Sequence, residues 1–195
     1  RSRPGSLAEW GTLDRRDLSK HKVKTVLAEN PVVVGHAFTT GKIKRSSKER
    51  VLPNTFVEFA VRDGLGCNAG HYTPAELQGK IVADEHLHEH ATCFNVKDRG
   101  LVVISSCGHC GIVNSARQAQ EVSGIRKVHA VVGGFHLGPA QPAYLNEIMG
   151  EIKELNPDVI VPMHCSGDNF IRAVRETMPE KLLVPFTGAG LTFGA

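Results

Sequence analysis

From residue 91 onward, apolar runs alternate with amphipathic stretches. Ala91 to Lys97 and Leu101 to Ser105 predict two strands, and the Asp98-Arg-Gly100 turn between them is a hairpin signal. Helical periodicity over 115–122 follows, then a buried strand at Val128 to Val132. Helix Ala143 to Leu155, strand Val159 to Pro162, helix Asn169 to Met178 and strand Leu182 to Phe186 continue the pattern. Helices alternating with unbroken apolar strands predict an α/β fold.

The first ninety residues are less regular. Leu13 to Lys22 predicts a charged helix, Val23 to Leu27 a strand, and Pro31 to Gly35 a short strand. Residues 41–85 lack clean periodicity and contain Gly64-Leu-Gly66, Gly70 and Gly79, which predicts a long surface excursion with one strand at Thr55 to Val61. Loops of that length usually cover a site. The 195 residues suffice for one domain, 1–195, with a real core.

Composition narrows the function classes. Hydrophobic content of 41% and charged content of 22% are ordinary for a globular protein. A net charge of +3 gives no ground for nucleic-acid binding. The basic run Lys42 to Arg50 is expected to be a solvated loop. No apolar stretch reaches the roughly 18 residues a membrane span needs, and no segment has a signal-peptide pattern. The start at Arg1 rather than Met suggests a processed product or a fragment. Five cysteines, Cys67, Cys93, Cys107, Cys110 and Cys165, predict reduced or metal-bound thiols rather than a disulfide framework. Reduced thiols favour a cytoplasmic location, and the expected partner is a small-molecule substrate.

The chemistry gathers at strand ends. Apolar strands stop at Cys107-Gly-His109, Gly133-Gly-Phe-His136 and Pro162-Met-His164, where α/β sheets build active sites. Cys107-Gly-His-Cys110 matches a redox dithiol motif at the start of a helix, so a thiol–disulfide oxidoreductase is one alternative. Ser106 stands where thioredoxin-like proteins carry an aromatic residue, and that chemistry leaves His136 and His164 unused. A metal centre accounts for more residues, because imidazole and thiolate are the ligands zinc prefers. Gly133-Gly134 permits an unusual turn before His136. Asn114 and Ser115 are expected to cap the helix that follows. Ser166 lies close enough in sequence to His164 to touch a substrate.

Gly100-Leu-Val-Val-Ile-Ser-Ser-Cys-Gly-His-Cys-Gly-Ile-Val-Asn114, Gly133-Gly-Phe-His-Leu-Gly138 and Pro162-Met-His-Cys-Ser-Gly167 together resemble the C-terminal half of a metallo-β-lactamase-fold hydrolase of the dihydropterin synthase-like subgroup. The similarity runs from about His36 to the C-terminus. It implies an α/β fold that is part of an αββα sandwich, mostly its C-terminal half. It implies metal-dependent hydrolysis of a phosphoester, a lactone or a pterin derivative, with zinc as first choice and manganese or iron as alternatives. By resemblance, His164 matches the last metal-binding His, Cys107 falls at the bridging position, and His109 is the other ligand of a Cys-x-His signature. His136 resembles a catalytic His held over the scissile group. His90 falls where a further metal His would lie, with His36 as its rival.

One departure is large. The family's His-x-His-x-Asp-His signature is absent from this sequence. His86-Leu-His-Glu-His90 mimics it, with His90 where the Asp belongs and Ala91 where its last His belongs, so His86 and His88 are accessory candidates. The resemblance therefore implies a chain lacking the signature half. The expected protein partner is a chain carrying that half, which would complete the site, or a second copy in a homo-oligomer, and a non-catalytic remnant is the second alternative.

Overall fold

The computed structural model describes residues 15–26, 28–51, 56–58 and 81–194. In chain order its elements are α1 (Arg15–Lys20), β1 (Val33–Val34), β2 (Ala37–Thr39), β3 (Phe56–Glu58), β4 (Ile81–Ala83), β5 (Thr92–Val96), β6 (Gly100–Ser105), α2 (Ile112–Ser123), β7 (Val128–Gly134), α3 (Pro142–Leu155), β8 (Val159–Met163) and α4 (Asp168–Thr177). They fall in two compact units, 1–27 with 55–84, and 28–54 with 85–195.

In the first unit α1 is shorter than predicted. Lys22, at φ 58°, turns the chain out of the helix, and residues 23–26 form no strand. Leu13 and Leu27, at the edges of those predicted elements, lie outside the described residues. β3 occurs within the predicted strand and pairs antiparallel with β4, which the sequence did not signal.

The second unit is built on a six-stranded sheet ordered β1-β2-β5-β6-β7-β8. β5 and β6 form the predicted hairpin, while β6, β7 and β8 are parallel neighbours. β7 is buried at every position, as an interior strand covered on both faces must be. One face carries the larger core, where Ile112, Val113, Ile148, Ile152, Phe170 and Val174 pack against strand residues. The other face holds Val102, Ala130, Val132 and Val161, covered in part by Leu191 and Phe193. The apolar run 182–186 is not a strand. It makes a single parallel bridge, Ile160 to Leu182, and then leaves the sheet with Val184 and Phe186 exposed.

α2 begins at Ile112, three residues before the sequence places it. Asn114 and Ser115 lie inside its first turn rather than capping it. The cap comes from far away in sequence. Glu49 accepts the N–H groups of Val113 at 3.2 Å and Asn114 at 2.9 Å, two of the donors a helix start leaves unpaired. Asn114 in turn accepts the N–H groups of Ser46 and Ser47, each at 2.8 Å. Lys48 donates its N–H to Glu151, and Arg50 to the Tyr144 hydroxyl. The basic run is thus exposed in its Lys and Arg side chains, as expected, but its backbone is pinned to α2 and α3.

No helix among the described residues is long and apolar enough to cross a membrane.

Candidate functional site

Three parallel strands that are immediate neighbours must end side by side. β6 runs into the loop carrying Cys107 and His109, β7 into His136, and β8 into His164 and Cys165. Ligand atoms of Cys107, His109 and His136 all lie within 4.8 Å of one another, and so do those of Cys107, His164 and Cys165. Cys107 Sγ belongs to both groups. It sits 3.6 Å from His136 Nδ1 and 3.1 Å from Cys165 Sγ.

The backbone is bent to achieve this. Among the described residues six non-glycine positions have positive φ, and three of them are His86 (51°), His136 (48°) and His164 (49°). Left-handed backbone costs a side-chain-bearing residue on the order of 1 kcal/mol, and half of the instances among the described residues surround this cluster. Gly134 supplies the floor. A Cβ there would meet Ser106 O at 2.6 Å, Cys107 Cα at 2.9 Å and Cys165 Sγ at 2.9 Å. Only glycine lets the two cysteines close over the end of β7.

The His-rich segment before β5 holds the Cys107–Gly111 loop from the other side. Glu89 accepts the N–H groups of His109 at 3.0 Å and of Cys110, and its carboxylate lies 3.4 Å from His109 Nδ1. Burial pushes this carboxyl up, but the His109 side chain and the two N–H donors outweigh it and hold it at about 2. His86, buried, stacks on the His109 ring with centroids 3.8 Å apart. His109 meets the His136 ring edge-on at 4.3 Å.

Each predicted residue can now be located. Cys107, His109, His136 and His164 come together. His86 supports His109, and His88 is exposed with its ring 5.8 Å from that of His86. His90, exposed just before β5, and His36, exposed in the β1–β2 turn, belong to neither donor group among the described residues. Ser166 is buried, and its hydroxyl is spent on backbone: it donates toward Met163 O at 2.7 Å and Gly133 O at 3.2 Å, and accepts from Phe135 N at 3.2 Å. Two residues that sequence reasoning passed over matter here, Glu89 and Cys165. Glu89 was hidden by the histidines around it, and Cys165 by its neighbour His164.

Cys107 and Cys110 are not bonded to each other. Cys93, Cys107, Cys110 and Cys165 are all free, and Cys67 lies outside the described residues. Cys110 donates to His86 O at 3.2 Å, whereas Cys107 faces Cys165. Burial, then the hydrogen bond and charge of Cys165, push the Cys107 thiol up to about 12. An attacking redox thiol needs the opposite shift.

The donor set suits a metal ion. Cys107 Sγ is shared by two donor groups, one completed by His109 and His136 and the other by His164 and Cys165, and such mixtures of thiol and imidazole are what borderline divalent ions such as zinc select. Burial and the neighbouring His109 hold the His136 imidazole below its ordinary value, so it is neutral and ready to ligate near pH 7. The carboxylate of Glu89 behind His109 is the outer partner that metal-ligating imidazoles usually have. Beside His164 a cleft of about 470 Å³ opens, lined by Met163, Asp168, Ile171, Val184 and Phe186.

A crystal structure of a metal-dependent hydrolase of the β-lactamase superfamily matches this architecture with a TM-score of 0.72, over 92% of this chain and 62% of that one, at 24% identity. The chain has the metallo-β-lactamase fold. Its sequence is similar to that of the 7,8-dihydropterin-6-methyl-4-(β-D-ribofuranosyl)-aminobenzene-5′-phosphate synthase of Methanocaldococcus jannaschii, at 29% identity over 161 residues. That match covers 80% of this chain and 50% of the relative. An uncharacterized protein of the same organism is 38% identical over 66 residues, 34% of this chain and 24% of that protein. The chain therefore spans half the length of the first curated relative and about a quarter of the second. No protein-family model matches it. Within the metallo-β-lactamase fold, the ends of β6, β7 and β8 are where this chain concentrates its histidines and thiols.

Proposed function

We propose that this chain supplies the strand-end half of a metal-dependent hydrolase site, acting on a small phosphoester, lactone or pterin-type substrate. The observation that carries the reading is the convergence on Cys107 Sγ, within 4.8 Å of donor atoms of His109 on its own loop, of His136 at the end of β7 and of His164 at the end of β8. Zinc is the ion this donor set favours. When bound, such an ion supplies Lewis acidity and a water acidic enough to attack near neutral pH.

The chain's own residues have separable tasks. Cys107, His109 and His164 hold the ion, with Glu89 fixing the tautomer and tilt of His109. His136 is neutral near pH 7, so it serves through its N–H, steadying negative charge that develops on the substrate, rather than as an imidazolium acid. The cleft beside His164 has the volume of a small-molecule site, and its Val184 and Phe186 wall suits a flat or apolar substituent. The pterin option is supported by the similarity to the methanogen protein, a synthase named for a dihydropterin that carries a ribofuranosyl-aminobenzene phosphate.

Absence of the His-x-His-x-Asp-His segment limits what this chain does alone. Phosphodiesterase and lactonase assays on the 195-residue chain with added zinc, manganese or iron test the reading. Low turnover that rises when a polypeptide carrying the signature is added is the expected result. Robust turnover by the chain alone, abolished by His164→Ala, would show that it builds a complete site. No metal-dependent turnover under either condition would count against the hydrolase reading.

A further inference from the structure

Cys165 lies next to the proposed ligands and is tightly placed. Its Sγ lies 3.1 Å from Cys107 Sγ and donates to Cys107 O at 3.1 Å. The residue before it, His164, is held in left-handed backbone. The residue beneath it, Gly134, can bear no Cβ without striking Cys165 Sγ at 2.9 Å and Cys107 Cα at 2.9 Å. A merely structural cysteine would need neither a bare glycine floor nor a strained neighbour.

We propose that Cys165 is a metal ligand, and that Cys107, Cys165 and His164 form a thiolate-rich site for a thiophilic divalent ion, with Cys107 shared with the His109 and His136 side of the cluster. This deepens the metal-centre reading and rests on it. All three ligand atoms lie within 4.8 Å of one another. Two thiolates and one imidazole are a known catalytic zinc set, three protein ligands with one position open. Two sulfurs on one tetrahedral zinc stand about 3.8 Å apart, given bonds near 2.3 Å. The pair at 3.1 Å needs to open by about 0.7 Å, which rotation of two side chains at loop ends can supply.

The chemistry balances without an oxidant. Each thiol gives its proton to solvent as the sulfur takes the ion, so one divalent cation replaces two protons. A thiolate pair also sets selectivity. Zinc, cadmium and cobalt suit it, whereas manganese prefers oxygen ligands. The site therefore narrows the metal from the zinc, manganese or iron that the sequence allowed.

The test uses the reduced full chain with zinc, manganese or no metal, and reads thiol alkylation residue by residue by mass spectrometry. Zinc should slow alkylation of Cys107 and Cys165 together by about tenfold or more, manganese should not, and buried Cys93 should be unaffected by either. A second measurement follows cobalt absorption in the near ultraviolet, where sulfur-to-metal charge transfer scales with the number of thiolates bound. Cys165→Ser, with Cys165→Ala beside it should one of them misfold, should lose about half the wild-type intensity. Protection of Cys107 with none at Cys165, or an unchanged cobalt spectrum in the variants, would overturn the Cys165 assignment and leave the metal centre standing. No protection of either cysteine and no cobalt binding would overturn both. A Cys107–Cys165 disulfide that persists under reductant and zinc would likewise overturn the proposal.

Discussion

Glu89 accepts the backbone N–H of His109 at 3.0 Å and presents the same carboxylate to that residue's Nδ1 at 3.4 Å. One side chain thus fixes both the loop and the ring. Glu89→Gln keeps the shape but loses the charge, and Glu89→Ala leaves two loop N–H groups without their acceptor. Outer-shell partners of ligating histidines are typically worth about 10- to 100-fold in metal affinity. Zinc affinity measured by chelator competition should fall by that amount in Glu89→Gln and further in Glu89→Ala. Unchanged affinity in both would show that the loop orders His109 unaided.

Glu49 predicts a pH dependence of stability. Burial outweighs the N–H donors of α2 and the Ser47 hydroxyl and lifts its carboxyl from the ordinary 4.5 to about 7. Its titratable neighbour is Tyr144, itself raised by burial. The folded state binds the Glu49 proton more tightly than the unfolded state does. Its favourable contribution is therefore full below pH 4.5 and is lost as pH rises through 7. Ionising it costs about 3 kcal/mol at the upper end of that window. Melting temperature should drop between pH 5 and 8 in the wild type, and by clearly less in Glu49→Gln. Parallel pH profiles for the two proteins would remove Glu49 as the cause.

Ser166 separates structural from substrate contact. Its buried hydroxyl ties Phe135, Gly133 and Met163 together at the ends of β7 and β8. Ser166→Ala should lower stability by about 1–3 kcal/mol, the usual cost of leaving buried polar groups unpaired. Zinc affinity at low temperature should stay within a few-fold of wild type. Thermal melts and zinc titrations on the same preparations check both halves. A large loss of affinity without loss of stability would instead put Ser166 in the site.

The legible parts of this chain were those whose signal is local. β5 to β8 carry β-branched runs long enough to declare themselves, and the sheet's order then brings His109, His136 and His164 to one edge. Features that rest on distant partners were not legible. The start of α2 is set by Glu49, far upstream, so local sequence points to Asn114 and Ser115 as a cap that the structure places inside the first turn. The run 182–186 has a strand's composition but only one bridging partner, and composition alone carries no information about pairing. Cys165 gained its meaning only when β6 and β8 placed it against Cys107.

The central claim is that the ends of β6, β7 and β8 form a metal centre. Anomalous diffraction at the zinc edge, from crystals of the reduced chain grown with zinc, tests it most directly. A peak is expected within about 2.0–2.4 Å of Cys107 Sγ and of at least one nitrogen among His109, His136 and His164. Zinc peaks confined to other histidines, with none within bonding distance of Cys107, would contradict it.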